Sequence, residues 1–137
     1  MFKRIFSLFF ALFIIASLWT ANKTPLFLEF SDRFELYLFS PSSTATMVYT
    51  DSLGYRAYNG VTGESCVVND DISAQEIMDK FKAKLLFTET TETGVNYYCY
   101  SNKIKYQKTI KGQTVNLQIS VTDTQTKIGA PLIFGSF

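Results

Sequence analysis

Four lysines, Lys103, Lys105, Lys108 and Lys111, are interleaved with Tyr100 and Tyr106, directly after the pair Tyr97 and Tyr98. Cations spaced among aromatic rings suit contact with a polyanion, where each lysine near a charged surface contributes about 1 kcal/mol, less as salt screens it. Lys80, Lys82 and Lys84 extend the same positive stretch. A plainer reading leaves these lysines solvated and guarding an edge strand while Ile104 and Tyr106 turn inward. The tyrosines also suit a stacking platform for sugar or peptide, although strand aromatics more often fill cores or cross-strand pairs. Tyr98, Tyr100, Lys103, Lys105, Lys108 and Lys111 therefore make up the candidate partner surface.

Carboxylates offer a different chemistry. Glycoside hydrolysis needs two carboxyl groups about 5–10 Å apart, one as acid and one as base or nucleophile. The sequence offers Asp70 with Asp71, just ahead of a helix where acids favour the dipole, and Glu89 with Glu92 in a hairpin. A small cell-wall hydrolase built on such a pair is the alternative to a non-catalytic role. Histidine is absent, which removes the commonest general base near neutral pH and the commonest metal ligand. Ser–His, Cys–His and histidine-based zinc sites are excluded in a monomer. Gly63 to Val67, GESCV, lacks the second glycine of a nucleophile elbow, and the chain has neither a phosphate-binding Gly-Lys-Ser/Thr loop nor an Asp-x-Asp-x-Asp-Gly calcium loop. The reading is non-enzymatic, with no metal or cofactor implied.

Cys66 and Cys99 are the two cysteines. Paired, they would close a span of 33 residues and restrict the unfolded chain by roughly 3–4 kcal/mol. Unpaired, they would pack as small apolar side chains. Redox chemistry through them is disfavoured by the absence of Cys-x-x-Cys spacing.

The chain opens MFKRIFSLFFALFIIASLWTANK, with Lys3 and Arg4 ahead of an uncharged run from Ile5 to Asn22. A basic start and an apolar stretch match a secretory signal peptide, or an uncleaved signal anchor with its N-terminus inside. Small residues are missing from the −3 position of either cleavage site, after Ser17 or after Ala21. The expectation is a leader over 1–21 and one extracytoplasmic domain over 22–137, secreted or anchored by a single membrane pass. The formal charge of +1 for the whole chain becomes −1 beyond residue 21, since Lys3 and Arg4 lie in the leader. That balance argues against nucleic-acid binding, because phosphate neutralisation favours a positive excess. The expected partner is an envelope protein or an anionic envelope polymer, with membrane contact through the leader if it is uncleaved.

These residues must be positioned by a mostly β chain. Phe34–Phe39, 44–50, 64–69, 84–92, 95–106, 114–122 and 127–137 read as strands, with turns at 41–44, 51–54, 59–63 and 111–113 and a hairpin across Thr93–Gly94. Val115, Leu117, Ile119 and Val121 alternate with Asn116, Gln118, Ser120 and Thr122, predicting one buried and one wet face. Pro131 predicts an edge strand or bulge. DDISAQEIMDKFKAK carries Ser73 and Glu76 as a capping box, Ile72 and Ile77 as a staple, and the stripe Ala74, Ile77, Met78, Phe81. That predicts a helix over about 74–83, with Glu76 paired to Lys80. The expected fold is α+β: an antiparallel sheet with this one main helix on its apolar face, preceded by the N-terminal apolar helix.

VTGES (61–65), NYYCYS (96–101), VNLQIS (115–120) and KIGAPLIFGSF (127–137), in that order around the helix, resemble the YwmB family of secreted Firmicute proteins, over about residues 61–137. The resemblance implies a TATA-box-binding-protein-like fold, hence a curved sheet, and an uncharacterised envelope role without DNA binding. It carries no catalytic or ligand residues across.

Overall fold

The computed structural model describes residues 2–21, 24–39 and 46–133, with side chains of the first helix described through Ala16. The turn expected at 41–44 and the residues beyond 133 lie outside them. The order is α1 (Phe2–Ala21), β1 (Arg33–Leu38), β2 (Thr46–Asp51), a 3-10 turn (Gly54–Ala57), β3 (Val61–Val67), α2 (Ala74–Lys80), β4 (Lys84–Thr90), β5 (Gly94–Tyr100), β6 (Lys108–Ile110), β7 (Gln113–Val115), β8 (Leu117–Thr122) and β9 (Thr126–Ala130).

Seven strands pair antiparallel in the order β2-β1-β3-β9-β8-β5-β4, and β6 and β7 form a separate ribbon turned by Lys111 and Gly112 at positive φ. The sheet is open and uncurved, which overturns the curved, TATA-box-binding-protein-like sheet expected from the resemblance. Repeated bulges are what bend a sheet. Here the ladder irregularities fall only toward the two sides, at Tyr37/Leu38 and Leu85/Phe87, while the central β3-β9-β8-β5 ladders run in register.

One face carries the core: Phe34, Leu36, Cys66, Cys99, Leu117, Ile119, Ile128 and Ala130 pack beneath Ile77, Met78 and Phe81 of the α2 region. The capping expectation holds, since the Ser73 hydroxyl accepts from the Glu76 N–H at 3.2 Å. The helix is shorter than predicted because Lys82 adopts φ 48°, a left-handed conformation that ends the helical ladder. The Glu76–Lys80 pair is replaced by a longer-range one. Lys80 reaches Glu29 at 2.9 Å and lies 5.4 Å over the Phe30 ring, because the 24–30 segment packs beside α2. Phe27 and Phe30 in that segment meet the Phe81 ring at 5.7 and 5.9 Å.

The opposite face was expected to be wet, yet Gln118 and Ser120 are each 5 % exposed. The chain after β9 turns back over it: the Ile133 N–H donates to Gln118 Oε1 at 2.9 Å, and a side chain at Gly129 would collide with Leu132. Buried polar groups there are paired. Lys127 meets Glu35 at 3.2 Å, the Ser65 hydroxyl donates to Glu35 at 3.1 Å, and Tyr37 bonds both. β9 is also central rather than an edge. Pro131 stands one residue past the strand, so its missing N–H leaves the ladder intact.

The anchor alternative for the leader is overturned: no helix of the described residues is long and apolar enough to cross a bilayer. The side chains of α1 are described over residues 2–16. Those side chains are all exposed, and none joins the core.

Ile77 is fully buried between α2 and the sheet. Ile77→Ala is expected to cost about 2–5 kcal/mol, read as a lowered urea midpoint at unchanged m-value.

Candidate functional site

Strand alternation puts Glu64 on the same face as Cys66, two residues on, and so points a carboxyl into the apolar side of the sheet. It is 1 % exposed. Burying a carboxylate is costly unless donors surround it, and three do. The Leu26 N–H donates to one carboxylate oxygen, while the Tyr55 and Tyr106 hydroxyls donate to the other at 2.8 and 3.1 Å. These donors come from the 24–30 segment, the 3-10 turn and the β5–β6 connection.

The β5–β6 connection is held by Asn116. Its amide donates to the Ser101 and Ile104 carbonyls at 2.6 and 3.0 Å, and its oxygen accepts the Ser101 N–H at 2.7 Å. Ser101 in turn donates to the Phe81 carbonyl, and Ile104 is buried in the core. Asn116, expected on a wet face, instead breaks the chain between β7 and β8 and turns inward. This clamp fixes Lys103, Lys105 and Tyr106, which with Pro25, Leu26, Tyr55 and Glu64 line a cleft of 370 Å³.

Burial raises the affinity of the Glu64 carboxyl for its proton. The Leu26, Tyr55 and Tyr106 donors and the Lys105 charge offset part of that, and the balance stays above the ordinary glutamate range. Burial and the adjacent Glu64 push both the Tyr55 and Tyr106 phenols up, so they remain hydroxyl donors at any ordinary pH. The cleft thus offers one carboxyl, two phenolic hydroxyls and two exposed ammonium groups at its rim, a set suited to holding an anion with neighbouring hydroxyls.

The structure divides the expected partner surface. Lys103 and Lys105 border the cleft, with Lys105 5.4 Å over the Tyr106 ring. Lys111 instead lies 5.0 Å over Phe87, whose ring stacks on Tyr98 at 4.7 Å. Tyr98 is therefore a half-buried packing residue on the far face, with its phenol raised by burial and Glu89. Tyr100 and Lys108 are exposed and do not line the cleft. Asp70, Asp71, Glu89 and Glu92 are exposed and likewise outside it. Cys66 and Cys99 are unpaired buried thiols. β9 and β8 stand between their strands, three inter-strand steps or about 14 Å, too far for a disulfide. Burial raises each thiol to about 12.

Searches of family models, curated proteins and solved structures found no match. The resemblance to the YwmB family thus rests on the short motifs alone, without the fold it implied.

Glu64, Tyr55 and Asn116 escaped the sequence reading. One signal was present: an acid at the core-facing position of ESCVV, in step with Cys66 and Val68.

Because Glu64 holds its proton more tightly folded than unfolded, its contribution to stability is full below pH 4.5 and declines as pH rises through the raised value. Denaturant titrations at stepped pH should show this decline in the wild type and lose it in Glu64→Gln. Identical pH profiles would remove the buried acid from the account. A thiol reagent at neutral pH should label Cys66 and Cys99 in the native chain far more slowly than after denaturation.

Proposed function

We propose that this protein is an extracytoplasmic, non-catalytic binding module whose Glu64 cleft takes an anionic, hydroxyl-bearing group of an envelope polymer. The observation that carries the reading is the convergence of Lys103 and Lys105 with Glu64, Tyr55 and Tyr106 on one cleft. The ammonium groups would receive a phosphate or carboxylate, and the phenols and carboxyl would receive neighbouring hydroxyls. Burial raises the proton affinity of Glu64, which lessens its repulsion of the anion. The extracytoplasmic location is supported by the basic, apolar start of the chain, whose described side chains stand outside the core.

The hydrolase alternative gains nothing from the geometry, since the cleft is lined by one carboxyl and glycoside hydrolysis needs two.

Calorimetric titration with poly(glycerol phosphate) tests the binding. Lys103→Ala combined with Lys105→Ala should weaken it by about 30-fold at low salt, from about 1 kcal/mol per lysine. Lys108→Ala with Lys111→Ala should leave it nearly unchanged. Equal loss in both pairs, or no binding by the wild type, would reject the cleft as the site. Recovery of the chain from the cytosol on cell fractionation would reject the location.

A further inference from the structure

The open sheet has two edges, and they are built differently. β4 carries Lys84 and Glu89 along its length and a ladder irregularity at Leu85/Phe87. Charges and bulges of this kind discourage another strand from adding. β2, at the other edge, reads TMVYTD and is uncharged from Thr46 to Thr50. Its pairing with β1 is regular over all six residues, from Arg33↔Asp51 to Leu38↔Thr46. Exposed apolar side chains gather there as well: Tyr49 is 70 % exposed, Met47 39 %, Leu53 86 %, and Phe39 at the end of β1 74 %.

We infer that β2 is the interface through which two copies of this chain associate, by antiparallel β2–β2 pairing that continues one sheet into the next.

The choice of a second copy rests on the strand's complementarity to itself. A two-fold axis normal to the sheet keeps each face on its own side, so residues of the same parity must stand opposite one another. The register centred on Val48 meets that condition. It sets Val48 against Val48, Met47 against Tyr49 twice, and Thr46 against Thr50 twice. No charge falls within the five paired positions. Sulfur–aromatic contact between Met47 and Tyr49 and a hydroxyl pair between Thr46 and Thr50 are both favourable cross-strand combinations. Asp51, just past the paired stretch, ends the uncharged run. The interface is separate from the Glu64 cleft, none of whose lining residues lies in β2.

The test uses the full chain. Sedimentation velocity over a concentration series should show a monomer–dimer equilibrium, and Met47→Lys with Tyr49→Lys should shift it to monomer by setting like charges near one another across the axis. Val48→Cys fixes the register independently. Under mild oxidation it should give a disulfide-linked dimer on non-reducing gels. Thr50→Cys should not, because Thr50 faces Thr46, and Thr46→Cys combined with Thr50→Cys should restore the cross-link. Cys66 and Cys99 are buried and leave the wild type without a cross-link. A wild type that stays monomeric, or an association that survives the lysine substitutions and so arises elsewhere, such as α1, overturns the proposal. So does failure of Val48→Cys to cross-link while Thr50→Cys does, or pairing of β2 with a different polypeptide in place of a second copy.

Discussion

A seven-stranded sheet is about 29 Å wide, and the one helix laid on its apolar face, α2, is about 10 Å long. Most of the remaining architecture answers that mismatch. The uncovered core-face side chains are closed over by irregular chain: Phe27 and Phe30 from the 24–30 segment, Tyr55 from the 3-10 turn and Ile104 from the β5–β6 connection. Irregular segments cannot satisfy their own backbone groups as helices do, so they need side-chain partners inside the fold. Glu64 and Asn116 supply them. Glu64 gathers donors from two of these segments and the 3-10 turn, and Asn116 takes both the donors and acceptors of the β5–β6 connection.

The cleft is a consequence of the same solution. Segments held together at a carboxyl do not close as tightly as interlocking apolar side chains, and a cleft remains at the polar junction, with Lys103 and Lys105 exposed at its rim. Glu64 thus both secures the cover and forms part of the cleft wall. The raised proton affinity of Glu64 and the donor character of the two phenols follow from burial, which would be present for structural reasons alone. The two rim lysines are what give this polar junction a sign.

The far face shows the complementary arrangement. Its side chains are polar by composition, yet the returning 131–133 segment and the Lys127–Glu35 pair exclude water from much of it. A buried ion pair is tolerated when its remaining lone pairs are satisfied, and Ser65 and Tyr37 do this for Glu35. The sheet is therefore covered on both sides at its centre, while its lateral edges stay open. Among the described residues beyond α1, the three most exposed large apolar side chains, Leu53, Phe39 and Tyr49, lie in or beside β2.

Local features were written plainly in the sequence: the Ser73 cap, the Ile77–Met78–Phe81 stripe, the hairpin at Gly94, the ribbon turn at Lys111–Gly112, and the inward set Leu117, Ile119 and Val121. Each depends on residues only a few positions apart, where spacing alone decides geometry. Strand order, flatness and the fate of the second face were not legible. They depend on which distant segments meet, as when Lys127 finds Glu35 or residue 133 returns to Gln118. The lysine run shows the same division. Its charge is a property of the sequence, but only the Asn116 clamp determines that Lys103 and Lys105 flank a buried carboxyl while Lys111 covers Phe87 on the other face, because side-chain direction in a connection is set by what anchors its backbone.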